Sequence, residues 1–150
     1  MKKKKAFSLI EVLVFVTILT LFFIAAISVV TYLVSTLKTN EYKVIASHYA
    51  EEGLEWIRSQ KEEDWMEFVA KDTSAGNGTT YCLKTLNWAT ASSCNLSDLF
   101  GTPSIFKREA VIAKIPGTPI TQVDVQVAVS WQERGRSMSI PLKTVLKLWE

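Results

Sequence analysis

Glu11 stands ahead of an uncharged run from Val12 to Val34, close behind the four lysines Lys2 to Lys5. A carboxylate at the edge of hydrocarbon costs at least ~2.5–3.5 kcal/mol on insertion scales, so it calls for a partner. The other residues with chemical potential are sparser. Cys82 and Cys94 are the two cysteines and His48 the one histidine of the chain. That is too few soft ligands for a metal site. Glu51, Glu52, Glu55, Glu62, Glu63 and Asp64 spread around a helical stretch and read as a solvated face, with neither metal nor acid/base chemistry implied. With no nucleophile elbow and no ligand cluster, the sequence predicts a protein that is not an enzyme and holds no cofactor.

The elements that position these residues follow from charge and hydropathy. Removing the lysine leader's four from seventeen basic residues leaves thirteen against fifteen acidic ones, so the remainder is near neutral. The run from Val12 to Val34 is long enough, as a helix, to cross about 30 Å of hydrocarbon. Basic residues stay on the cytoplasmic side, which predicts a single pass with everything after about Leu37 extracytoplasmic. That compartment permits disulfides, and a Cys82–Cys94 bridge is expected, worth about 3 kcal/mol in the loop-entropy account. A cleaved secretory signal fits poorly because the apolar run passes Ser28. A plain signal anchor leaves Glu11 unexplained.

The string "KKKKA-FSLIEVLV" resembles the leader and helix start of type IV prepilins and of the related pseudopilins of type II secretion. The resemblance implies a class III signal peptide. Residues 1–6 are removed by a membrane-embedded prepilin peptidase that cuts between Ala6 and Phe7, and the new amino terminus, Phe7, is N-methylated. The family usually has Gly before the cut, where this chain has Ala6. It further implies that Glu11 of an incoming subunit pairs with the terminal amine of a neighbour's Phe7. On that reading Glu11 sets assembly register and has no catalytic task.

From Lys38 the pattern turns amphipathic. Tyr42, Ile45, Ala46, Tyr49, Ala50, Leu54 and Ile57 recur at spacings of three and four, which predicts one continuous helix to about Gln60 whose second half buries a stripe. "AEEGLEWIRSQKEEDW" resembles the end of that helix in PilV-type minor pilins. Gly53 in mid-helix suggests a closely approaching strand. Residues 61–104 read as a variable loop with one short strand, Thr80 to Leu86. "IFKREAVIAKI" reads as a strand. Val123, Val125, Val127, Val129 and Trp131 alternate with polar or small residues, the period of a half-buried antiparallel strand. Glu133 to Arg136 is a turn. "SMSIPLKTVLKLWE" alternates again, and Pro141, which lacks a ladder donor, predicts either a sheet edge or a bulge there. Trp88, Trp131, Trp149 and Phe100 are candidates for a partly exposed aromatic patch.

The expected architecture is therefore α+β and pilin-like: a long N-terminal helix, apolar then amphipathic, packed on a 3–4-stranded antiparallel sheet. Its divisions are leader 1–6, transmembrane or filament-core helix 7–36, and extracytoplasmic head 37–150, comprising helix 37–60, loop 61–104 and sheet 105–149. The expected function is a structural, minor subunit of a type IV pilus or type II secretion pseudopilus. Its partners are sibling pilins in a homo- or hetero-oligomeric filament, the prepilin peptidase/methyltransferase and the inner-membrane assembly platform. The alternative is a membrane-anchored extracytoplasmic binding module of the DNA-uptake or adhesion kind. Lys107, Arg108, Arg134 and Arg136 are a thin set for a nucleic-acid track, so nucleic acid stays an open partner of that alternative.

Overall fold

A computed structural model of the chain describes residues 8–74, 76–88 and 91–149. The chain divides into two units between Glu41 and Tyr42. One helix, α1 (Leu9–Glu63), runs through that boundary. No proline interrupts it, and the apolar residues before Leu37 favour helix once lipid or protein surrounds them.

Within the first unit α1 carries no charged residue from Val12 to Leu37. Its most apolar 18-residue window has mean hydropathy 2.9 and none of it is buried. Among the described residues this is the one helix long and apolar enough to cross a membrane.

The second unit carries its own core. α1 buries Ala46, Ala50, Gly53, Leu54 and Ile57, which is the stripe the three-four spacing predicts. A short helix follows, α2 (Trp65–Ala70), whose N-cap Asp64 accepts from the Glu67 N–H at 2.9 Å. The sheet is antiparallel, in the order β1 (Thr79–Cys82), β2 (Lys107–Lys114), β3 (Gln122–Glu133), β4 (Arg136–Lys147). This is the α+β, pilin-like arrangement expected, with four strands. Val123, Val125, Val127 and Val129 are all fully buried beneath α1, each contributing roughly 1.5–3 kcal/mol of apolar burial. The β3–β4 hairpin turns on Arg134 and Gly135, whose φ angles of 51° and 76° suit a two-residue turn that follows the strand twist.

Strand parity fixes which backbone groups are open. The Leu148 N–H donates to the Thr121 carbonyl at 3.0 Å, one step beyond the Gln122–Lys147 pair. Pairs that exchange hydrogen bonds alternate with pairs that do not. Even-numbered residues of β4 therefore bond to β3, and odd-numbered ones, Pro141 included, face the open edge. Proline sits there without costing a ladder bond.

Three expectations are corrected. The strand placed at Thr80–Leu86 is Thr79–Cys82: Leu83 still donates to Arg108 at 2.8 Å, but at Lys84 the chain leaves, its ammonium bonded to the Ser97 carbonyl at 2.7 Å. Besides the expected short strand, the stretch 61–104 holds the end of α1, the helix α2 and a 3-10 turn at Leu96–Asp98. Of the aromatic patch, Trp131 is core at 3% exposure, Trp88 packs on Trp56 and Tyr81, Phe100 packs on Tyr49, and Trp149 is exposed.

Gly53 is the mid-helix glycine. A Cβ there would lie 2.9 Å from Cδ of Arg108 and 3.2 Å from Cγ1 of Val127. The Arg108 chain cannot swing aside, because its guanidinium is anchored on both sides of the gap. Gly53→Ala is therefore expected to destabilise the head by about 1–3 kcal/mol through overpacking, although alanine in an open helix would stabilise it by about 1 kcal/mol. Thermal melting of the two forms checks the sign.

Candidate functional site: the amino-terminal motif and its helix

Glu11 lies in the first turn of α1. Its N–H donates to the Ser8 carbonyl at 3.0 Å, and Val12 donates to the same oxygen at 3.3 Å, so Ser8, just ahead of α1, accepts the first hydrogen bonds of the helix. A carboxylate in a first turn is favoured by the helix dipole by about 0.3–1 kcal/mol. That is well short of the cost of holding it near hydrocarbon, so a second partner is still required. The leader 1–6 and the expected cleavage and methylation positions, Ala6 and Phe7, lie outside the described residues.

Beyond Glu11 the helix offers no other charge up to Val34. Leu9, Ile10, Phe15, Leu21 and Phe22 are all more than three-fifths exposed. The hydroxyls in this stretch are satisfied within the helix: Thr17 donates to Val14 O and Thr20 to Thr17 O, each at 2.8 Å, and Ser28 to Ile24 O and Thr31 to Ile27 O, each at 2.9 Å. The surface is thus an apolar cylinder with one carboxylate near its end.

The first 27 residues match the family model of the prokaryotic N-terminal methylation motif. The methylation motif supports a type IV pilin-like, class III signal peptide on this chain, and it spans both the lysines and Glu11. It ends at Ile27, within the apolar stretch, and does not reach the head. No curated protein and no solved structure matches the chain. A methylation motif leading into an uncovered apolar helix fits anchoring in the inner membrane and interaction with other pilins and with a prepilin peptidase.

In the head, the expected bridge is present: Cys82 and Cys94 are joined, with Cα atoms 4.9 Å apart. The Cys94 N–H also donates to Glu109 at 2.7 Å, which ties the connection from β1 back to β2. Two organisers were not legible as such. Arg108, grouped with surface cations by type, is 3% exposed. Its Nε donates to Leu83 O at 3.0 Å, and Nη1 donates to Tyr49 O at 3.0 Å and to Glu52 Oε2 at 2.6 Å. It thereby joins α1 to the chain after β1. The signal was available: Arg108 shares the inward phase of β2 with Ala110 and Ile112.

Asp72, also 3% exposed, is the second organiser. Its Oδ1 accepts from the Ser74 N–H at 3.0 Å, the Ser74 hydroxyl at 2.7 Å and the Thr79 hydroxyl at 3.1 Å, and Oδ2 accepts from the Lys114 N–H at 2.8 Å. Burial pushes this carboxyl up, but the hydrogen bonds from Lys114, Ser74 and Thr79 together outweigh it and leave the group below its ordinary 3.8. A carboxylate whose folded pKa is depressed stabilises the fold above its unfolded pKa, and that contribution is lost as pH falls through the folded value. The head is expected to hold its stability from neutrality down to about pH 5 and to lose Asp72's share below that. Asp72→Asn turns an amide N–H toward the Lys114 N–H or the hydroxyl donors, at a cost of about 2 kcal/mol at pH 7. Denaturant titrations at pH 7 and pH 3 check this: the gap between the two forms narrows at the acid end.

Proposed function

We propose that this protein is a structural, non-enzymatic subunit of the minor class, PilV-like, of a type IV pilus or type II secretion pseudopilus. The observation that carries the reading is the methylation motif running directly into a helix without charge from Val12 to Leu37 and without cover. Such a helix is stable in lipid, or in a bundle of like helices where packing replaces the lipid.

In this reading residues 1–6 are the leader, 7–36 rest in the inner membrane with the amino terminus cytoplasmic, and 37–150 form the extracytoplasmic head. Prepilin peptidase cuts between Ala6 and Phe7, and Phe7 is methylated. The amine so exposed on one subunit meets Glu11 of the next. Each charge would be costly near hydrocarbon by itself; together they offset that cost, and a shifted neighbour leaves both unpaired. The assembly platform supplies the work of extraction, and the Cys82–Cys94 bridge is consistent with a head matured outside the cytoplasm.

Mass spectrometry of the amino-terminal peptide from native protein tests the reading. An N-methylated Phe7 start is expected. An intact lysine leader would refute it and leave a membrane-anchored binding module as the better account.

A further inference from the structure

β4 is an edge strand of 12 residues with no neighbour on its outer side among the described strands. By the parity above, Ser137, Ser139, Lys143, Val145 and Lys147 present both N–H and C=O to that edge, and Pro141 presents only a carbonyl. All six are exposed. Proline and lysine are devices that keep sheet edges from pairing indiscriminately. Here the proline closes the middle of the edge and leaves an unbroken run of donors and acceptors from Lys143 to Lys147.

Two further observations say what that run accepts. The first is apolar. Of the exposed large apolar residues after Tyr42, namely Val44, Met66, Leu96, Val145 and Trp149, two lie on or just past this run. Val145 shares the outward face of the sheet with Lys143 and Lys147, Trp149 lies exposed two residues past the strand, and an exposed tryptophan at a strand end is a typical anchor for a partner. The second is charge. β4 holds three basic residues and no acidic one. Lys143 is paired with Asp124 at 2.7 Å, whereas Lys147 forms no ion pair with a described residue. A second copy of this strand would set basic residues against basic residues, and like charges across a strand pair are unfavourable.

We infer that the Lys143–Lys147 edge of β4 is a docking site for an extended segment of a different protein, one whose every second residue, on the outward face, is in turn acidic and apolar. The segment adds a fifth strand. Its backbone pairs with Lys143, Val145 and Lys147, its acidic side chains lie beside Lys147, and its apolar ones cover Val145 and Trp149. This surface is separate from Glu11, so its test does not depend on filament assembly.

The experiment uses the full chain in uncharged detergent micelles and two blocked octapeptides with threonine at every second position; the remaining positions are glutamate and valine in turn in one peptide, lysine and valine in turn in the other. The fluorescence anisotropy of each labelled peptide is compared with protein-free micelles, and backbone amide exchange is followed by NMR. The glutamate peptide is expected to bind about tenfold or more tightly than its lysine counterpart and to slow exchange at Lys143, Val145 and Lys147. Val145→Pro removes an outward donor while sparing every bond to β3, and should abolish binding. Pro141→Val restores a donor and should strengthen it. Should Val145→Pro fail to fold, Lys147→Glu serves instead and should erase the preference for the acidic peptide. Equal binding of the two peptides, no binding of either, or undiminished binding by folded Val145→Pro overturns the proposal. So does protection of the same amides by self-association without peptide, which would make a second copy the occupant.

Discussion

Glu11→Ala is expected to insert in the membrane and to lose its leader at the wild-type rate, yet to be excluded from filaments. The substitution makes the apolar helix a better membrane span, since alanine carries none of the ~2.5–3.5 kcal/mol cost of an acid near hydrocarbon. A defect in assembly therefore cannot come from poor insertion. On the proposed reading it comes from the neighbour's terminal amine, which then enters the bundle without a counter-charge. At about 1.4 kcal/mol per factor of ten, an unpaired charge of that cost corresponds to a loss of incorporation of roughly a hundredfold. Immunoblots of sheared filaments and of membranes, from cells expressing either form, read the two fractions separately. Normal incorporation of Glu11→Ala would remove the register role from Glu11.

The second large effect lies in the head. Arg108→Ala is expected to destabilise it by about 3 kcal/mol, which lowers the melting temperature by roughly 10–20 °C for a domain of this size. The Leu83 carbonyl loses its buried donor, and the space beneath Gly53 is vacated. Arg108→Lys should recover little of this, because one ammonium cannot reach the acceptors that the planar fork meets together. Glu52→Ala should cost under about 1 kcal/mol, since that carboxylate is 53% exposed and solvent screens the pair. Comparable losses for Glu52→Ala and Arg108→Ala would mean that the ion pair, not the two carbonyl contacts, holds the junction. Melting curves on the three variants separate these outcomes.

Legibility in the sequence followed how local each determinant is. The period-two run from Val123 to Trp131 and the three-four stripe from Tyr42 to Ile57 are local patterns, and both map onto buried faces. Pro141 narrowed its strand to an edge or a bulge because a missing N–H restricts position regardless of context, and β4 is the edge strand. The methylation motif is contiguous, so Glu11 could be singled out as a candidate without any knowledge of the fold. α2 was missed because "WMEFVA" is too short to show a helical period; only Asp64 with Glu67 three residues on hinted at its start. Arg108 was misjudged by residue type, since long basic side chains are rarely buried. Its strand phase argued otherwise, and the acceptors that make burial tolerable come from Tyr49 and Leu83, distant in sequence. Asp72 is a similar case: the D-x-S spacing announces a turn, but the Lys114 amide that completes its cage belongs to another strand.

Each Ser and Thr hydroxyl between Val12 and Val34 is bonded to its own helix. On the proposed reading, that leaves a smooth shaft with a single key cut near one end. Such a shaft enters any socket of the same pattern, so it carries no information about which sibling stands beside it. Choosing the companion, and the order of subunits along the fibre, must fall to the far end of the molecule, where side chains differ and edges are open.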